Sequence, residues 1–414
     1  MLTHTASALQ MHLSATGSRS EVHSCHEREY QDLNRRQLII VLALGTTQTL
    51  AWASSYYLPA ILADPIAHDL GISSNWVFAA FSASLVLSAV LGPRIGRQID
   101  QVGGRSVLAA SNLAMAAGLA LLGVSQSIWT MAAAWLLLGF GMGCGLYDAA
   151  FAALGRIYGE AARKPITGIT LMAGFASTVG WPLTALGLAH LGWRDTCFAW
   201  AAAQLVIGLP LNLLIIPPVP ASTNKAAAAV KPQIPIDRPM VLLAITFAAA
   251  WSVTGAMAAH LPRILEATGA TPLQAVTAGA LIGPAQVAAR ILEAFVLSRH
   301  HPLFSTKLAC ITHPLGAAII GVAGGGAASV FALFHGAGNG VLTIARGTLP
   351  LAIFGSANYG YRLGLIGAPA RMAQAGAPLA FGLLTDVMGG KVLIVSSALS
   401  LTALLALSLL PKHK

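Results

Sequence analysis

The sequence predicts an all-α membrane protein, with twelve transmembrane helices in two pseudo-symmetric six-helix bundles. Three observations carry that prediction. Only 9% of the 414 residues are charged and 56% are hydrophobic, with a mean hydropathy of +0.71, whereas an ordinary soluble domain is roughly 25% charged. The apolar runs extend for about 20 residues, long enough to cross the hydrocarbon as helices. They lack the polar face of a soluble helix and the period-two alternation of a barrel wall. Finally, the longest polar interruption after the N-terminal stretch, Pro217 to Pro239, divides the runs six and six.

In chain order, residues 1–36 are polar and lack the charged and apolar regions of a secretory signal, so they read as a disordered cytoplasmic tail. Spans centred near Leu44, Leu85, Ala116, Gly139, Val179 and Leu205 make an N-terminal bundle over 37–216. Residues 217–239, rich in proline and alanine, form a cytoplasmic linker. Spans centred near Ala249, Ala285, Ala317, Asn339, Gly376 and Leu401 make a C-terminal bundle over 240–414.

An even number of spans puts both termini on one side. Most of the 24 Lys and Arg residues fall in loops of that side, and only Arg194, Arg263 and Lys391 fall on the other. The positive-inside rule then makes both termini cytoplasmic in a multi-pass protein of the cytoplasmic (inner) membrane. The net charge of +10 is accounted for by topology, so no nucleic-acid partner is expected. His23, Cys25 and His26 lie in the tail as an incidental group, and no metal site is expected. Cys144, Cys197 and Cys310 sit in apolar surroundings without Cys-x-x-Cys spacing and read as buried thiols. The chain carries no Walker loop, His-Glu-x-x-His pattern or nucleophile elbow. It reads as a non-enzyme without a cofactor.

The halves repeat weakly: Gly92-Pro93 recurs as Gly283-Pro284, Gly145 answers Gly340, and Gly187 answers Gly382. Two related six-helix halves around a midplane site are the architecture of a transporter. Between spans two and three, Gly96-x-x-x-Asp100-Gln-x-Gly103-Gly104-Arg105 resembles the loop motif of the major facilitator superfamily, with Gln101 and Gly104 at positions where that motif is basic. The resemblance implies the major facilitator fold over residues 37–411 and secondary transport of a small molecule by alternating access, in a protein functional as a monomer in the bilayer. In the loop itself, Gly96 and Gly103 permit tight turning and close helix approach. Asp100 can accept hydrogen bonds at helix ends, and Arg105 can pair with it or with lipid phosphate. Together they would latch the cytoplasmic side, or else the arginines only anchor topology.

Charges inside spans are expensive and therefore informative. They are Asp148 in span four, Arg290 and Glu293 in span eight, Arg346 in span ten and Arg371 in span eleven. The run Gly283-Pro-Ala-Gln286-Val-Ala-Ala-Arg290 resembles the eighth helix of monocarboxylate and oxalate/formate carriers, in which an arginine pairs with a substrate carboxylate. That resemblance implies Arg290 as the carboxylate contact and Arg371 as a supporting cation, while Gln286 replaces an aspartate of the carriers. Glu293, at i+3, either neutralises Arg290 or carries a proton. Asp148 either forms a gate with Arg346 or Arg371 or accepts a proton, and each arginine could instead snorkel to the interface. Gln286, Tyr56, Tyr57 and Asn339 are further candidates for touching substrate, and Trp52 and Gln374 are possible cavity-lining groups; helix packing explains each equally well.

The expectation is a proton-coupled carrier of a small organic anion. An efflux transporter for a toxic or amphipathic compound, or a non-transporting sensor on the same scaffold, remain the alternatives.

Overall fold

The computed structural model describes residues 19–218 and 234–411, with side chains from Arg35 onward. The His23, Cys25 and His26 side chains and linker residues 219–233 lie outside the described residues. Among the described residues there is helix and no strand.

Seven helical stretches are long and apolar enough to cross a membrane, but three of them are too long to do so once. The 87 residues of Ile128–Leu214 would extend about 130 Å as one helix, against a hydrocarbon thickness of about 30 Å. This stretch turns back through the 3-10 segment Gly159–Ala162 and again at Gly192, whose φ of 82° breaks the helix, and so crosses three times. Pro302–Phe354 and Tyr359–Ser408 each cross twice, reversing near Gly324 (φ 69°) and Gly389 (φ 57°). With the first span, the described chain makes twelve crossings.

The N-terminal half consists of α1 (Arg19–Ala53), α2 (Pro59–Asp69), α3 (Ser74–Val102), α4 (Gly104–Gly123), α5 (Ile128–Gly145), α6 (Tyr147–Tyr158), α7 (Arg163–Ala173), α8 (Ala176–Ala203) and α9 (Leu209–Leu214). The C-terminal half consists of α10 (Arg238–Ala267), α11 (Pro272–Phe295), α12 (Pro302–Ala323), α13 (Ala328–Phe354), α14 (Tyr359–Met388) and α15 (Val392–Ser408). Helix α1 begins inside the stretch expected to be a disordered tail, in a segment rich in the helix formers Glu, Arg and Gln.

Several crossings of the first half are discontinuous, which the apolar runs did not signal. Span one loosens into turns over 54–58, where Pro59 has no N–H to continue the ladder, the Tyr57 N–H reaches back to the Trp52 carbonyl, and the Ser54 and Ser55 hydroxyls donate to the Leu50 and Ala51 carbonyls. Span four breaks at Leu146, which adopts extended backbone between α5 and α6. Span six begins its inner part with a π turn, Gln204–Gly208, just before Pro210.

Each half has its own apolar core. Clusters around Trp135, Leu138 and Met142 and around Phe151, Ile166 and Ile169 fill the first half, while Phe247, Leu349, Phe331 and Ile264 lie in clusters of the second. The halves meet through α3 against α14 and α7 against α11 and α13. Contact between α3 and α14 is backbone to backbone. A Cβ at Gly96 would lie 2.0 Å from the Gly360 carbonyl oxygen, and one at Gly364 would lie 2.5 Å from the Gly92 carbonyl oxygen.

The two faces of the bundle differ. On the face holding Asp100, Arg156 and Arg163, polar contacts cross from half to half. On the opposite face, Arg194 pairs with Asp69 within the first half and Arg263 with Asp386 within the second.

Candidate functional site

A small cavity lies between the halves, lined by Trp52, Tyr56, Leu85, Ser88, Leu146, Tyr147, Asp148, Trp251, Arg346, Arg371 and Gln374. The two breaks of the first half supply it. Tyr56 comes from the unwound turn of span one, and Leu146, Tyr147 and Asp148 come from the break in span four. Asp148 therefore sits in the first turn of α6, where the helix dipole favours negative charge.

Asp148 is the hub of the site. Arg346 donates to it twice, Nε to Oδ1 and Nη2 to Oδ2, both at 2.7 Å. Arg371 donates from Nη2 to Oδ2 at 2.8 Å. Both arginines belong to the second half, so one carboxylate of the first half holds two guanidinium groups across the interface. Arg371 also donates through Nη1 to the Ser88 hydroxyl, and the Arg346 guanidinium lies 4.7 Å from the ring centre of Trp251. Gln374 donates through Nε2 to the Tyr56 hydroxyl at 2.8 Å, a further link between halves. With Asp148 ionised, the charged groups lining the cavity sum to one positive charge.

Of the six side chains expected to touch substrate, Tyr56 and Arg371 line this cavity, whereas Arg290, Gln286, Tyr57 and Asn339 do not. Arg290 is buried and occupied: its guanidinium donates to the carbonyls of Thr170 and Gly340 and to Gln286 Oε1. Helix α7 ends at Ala173, leaving carbonyls of its last turn available to such a donor. Tyr57 packs among Trp52, Tyr56 and Trp181. Asn339 lines a second small cavity inside the second half, where it accepts from Thr254 beside the hydrogen-bonded pair His313 and His335.

The remaining sequence candidates lie on the face that bridges the halves. Glu293 does not neutralise Arg290; its partner is Arg163 of the first half, at 3.4 Å. Asp100 accepts from the backbone N–H groups of Gly360 and Tyr361 in the first turn of α14, at 2.9 and 2.8 Å. Gly103, with a φ of 85°, makes the turn from α3 to α4. Arg105 forms no ion pair among the described residues, and Arg156 instead donates to the Asp100 carbonyl. Sequence reading missed Ser88, Trp251 and Arg163. Trp251, a lone indole midway along an alanine-rich span, was the one of these with a visible signal.

The family model of the Major Facilitator Superfamily matches residues 44–334, and the chain belongs to that superfamily. An MFS-type efflux pump of Mycolicibacterium smegmatis is 31% identical over 203 residues, covering 47% of this chain and 46% of the pump. The chain thus matches about half the length of that relative.

Among solved structures, the human organic anion transporter MFSD10 (TETRAN) superposes with a TM-score of 0.70 at 17% identity, covering 90% of this chain and 99% of that one. The E. coli fucose:proton symporter FucP superposes with a TM-score of 0.72 at 12% identity, covering 91% and 100%. At such identities these likenesses concern the fold alone. The protein is a multi-pass membrane transporter and not an enzyme.

Proposed function

We propose that this transporter carries a small organic anion across the membrane by alternating access, coupled to protons. The observation that carries the reading is the pairing of Arg346 and Arg371 with the single carboxylate of Asp148 in the central cavity. A planar guanidinium is suited to grip a carboxylate by two hydrogen bonds. An anionic ligand can draw Arg371 from Asp148 while Asp148 keeps both bonds from Arg346. The span-four break supports the same reading, because half-helix N-termini at the midplane serve anionic groups in transporters of other folds. Arg290, one of the residues resembling the monocarboxylate and oxalate/formate branch, joins the site once the halves part and Thr170 withdraws. Its partner Gln286 and the aromatic Tyr57 accompany it, and Asn339 shapes the helix behind them.

The crowding of basic residues on the bridged face supports placing that face, and both termini, in the cytoplasm of a cell bounded by an inner membrane. In this orientation the structure is closed to the cytoplasm.

The direct test is a thermal-shift screen of the purified protein against carboxylates and amphipathic drugs, repeated with Arg371→Gln and Arg290→Gln, because a ligand that binds the folded state raises its apparent stability. Carboxylate stabilisation lost in Arg371→Gln is the expected result. Proton coupling is tested in proteoliposomes, where collapse of the pH gradient should abolish accumulation.

A second reading is efflux of an amphipathic compound. It is favoured by the aromatic lining of Trp52, Tyr56, Tyr147 and Trp251 and by the M. smegmatis pump. Drug stabilisation indifferent to both arginine substitutions would select it.

A further inference from the structure

Asp100 and Glu293 occupy equivalent places in the two halves. Each is the third residue from the end of its helix, in α3 and α11, and each meets the start of a helix from the other half, α14 for Asp100 and α7 for Glu293. Their surroundings differ in one respect. The second and third residues of α14, Gly360 and Tyr361, give N–H groups to the two oxygens of Asp100. The third residue of α7 is Pro165, which has no N–H to give.

Glu293 is accordingly left short of donors. Its Oε1 meets Arg163 Nη2 at 3.4 Å, long for a hydrogen bond, while Arg163 Nη1 is given to the His300 carbonyl at 2.9 Å. Oε2 is buried without a partner, in a residue only 2% exposed. No other charged group satisfies it. On its own helix Arg290 is taken by Thr170, Gly340 and Gln286. On α12 the Ser305 hydroxyl stands beside Glu293 but is directed at the Pro302 carbonyl, 3.1 Å away, and Lys307 makes no ion pair among the described residues. On α13 Arg346 is held by Asp148. At the start of α7 Glu160 and Lys164 flank Arg163 in sequence, and His300 follows in the turn after α11.

We infer that Glu293 is a proton-binding site, and that its protonation releases Arg163 and unlatches the bridged face at that point. A buried carboxylate with an unsatisfied oxygen is costly as an anion. Taking a proton removes that burden and, in the same event, removes the charge that attracts Arg163 across the interface. Asp100, by contrast, has a backbone donor for each oxygen. The role of Glu293 rests on the proposed proton coupling and is independent of the substrate being an anion.

The test is a distance measurement between spin labels at Ala161→Cys and Arg299→Cys, both at exposed positions on the bridged face. It uses full-length protein in nanodiscs without substrate, with the native cysteines replaced. Lowering the pH from about 8 to about 5, toward the glutamate range near 4.3, should shift the distances from short to long. Glu293→Gln should give the long distances at every pH and lose the pH response. Arg163→Gln should do the same with the carboxylate intact, which covers the case of a poorly folding Glu293 variant. A full pH response retained in either variant, or no response in the parent protein, overturns the assignment. Loss of anion stabilisation in the ligand screen with the pH response preserved would overturn the substrate reading and leave this one standing.

Discussion

Replacing Asp148 with Asn tests the central site most directly. Asp148 receives three charge-assisted hydrogen bonds at 2.7–2.8 Å, and its side chain is 13% exposed against 6% and 10% for Arg346 and Arg371. Removing one member of a buried ion pair typically costs about 3–5 kcal/mol, because the other charge is left uncompensated. Here two guanidinium groups lose their counterion, but they face a cavity that water can enter, so the lower end of that range, about 3 kcal/mol, is expected. At about 1.4 kcal/mol per factor of ten, the closed arrangement should fall more than a hundredfold in population relative to open ones.

The single arginine substitutions should be graded by the same geometry. Arg346→Gln removes a bidentate pair and should approach the Asp148→Asn loss, while Arg371→Gln removes a single bond to Asp148, together with its bond to Ser88, and should cost at least about 1.5–3 kcal/mol. Equilibrium unfolding in detergent gives the differences, and a double-mutant cycle of Asp148→Asn with Arg346→Gln isolates the pair. A coupling energy near zero, or an Asp148→Asn loss below about 0.5 kcal/mol, would refute the reasoning.

Gly96→Ala should bar closure of the bridged face, since its Cβ would stand 2.0 Å from the Gly360 carbonyl oxygen; cysteine labelling along α14 near Tyr361 should rise severalfold. Asp100→Ala should weaken that face more than Asp100→Asn, which keeps one acceptor for the Gly360 and Tyr361 N–H groups; the difference, about 1 kcal/mol, is read from unfolding. Gly208→Ala would place a methyl 2.4 Å from Asn112 Nδ2 and disturb the buried chain of Asn212, Asn112, Gln204 and Ser54; about 1–3 kcal/mol of stability should be lost without change in ligand specificity.

Much of the fold was legible in the sequence because the bilayer imposes a simple code: apolar length marks a span and each of the twelve predicted centres falls within a helical segment. The breaks in spans one and four were not legible, because they arise from Pro59, the paired serines and a glycine-rich run whose effects depend on what packs against them. The site followed the same division. Charged residues within spans could be found by their rarity, and Asp148, Arg346 and Arg371 do converge. Their partners could not, since which face of a helix looks inward depends on crossing geometry. Arg290 illustrates this: the carbonyls of Thr170 and Gly340 that occupy it have no signature in sequence.

The ion pairs of the opposite face, Arg194 with Asp69 and Arg263 with Asp386, each tie residues of one half only. They stiffen the two halves as separate bodies and exact nothing when that side parts. Among the described residues, the ion pairs shared between the halves lie at the centre or on the bridged face, so the proposed cycle draws its energetic asymmetry from where the charges are shared. In the proposed cycle, whatever turns the protein over, ligand or proton, has to act on the contacts that the halves share.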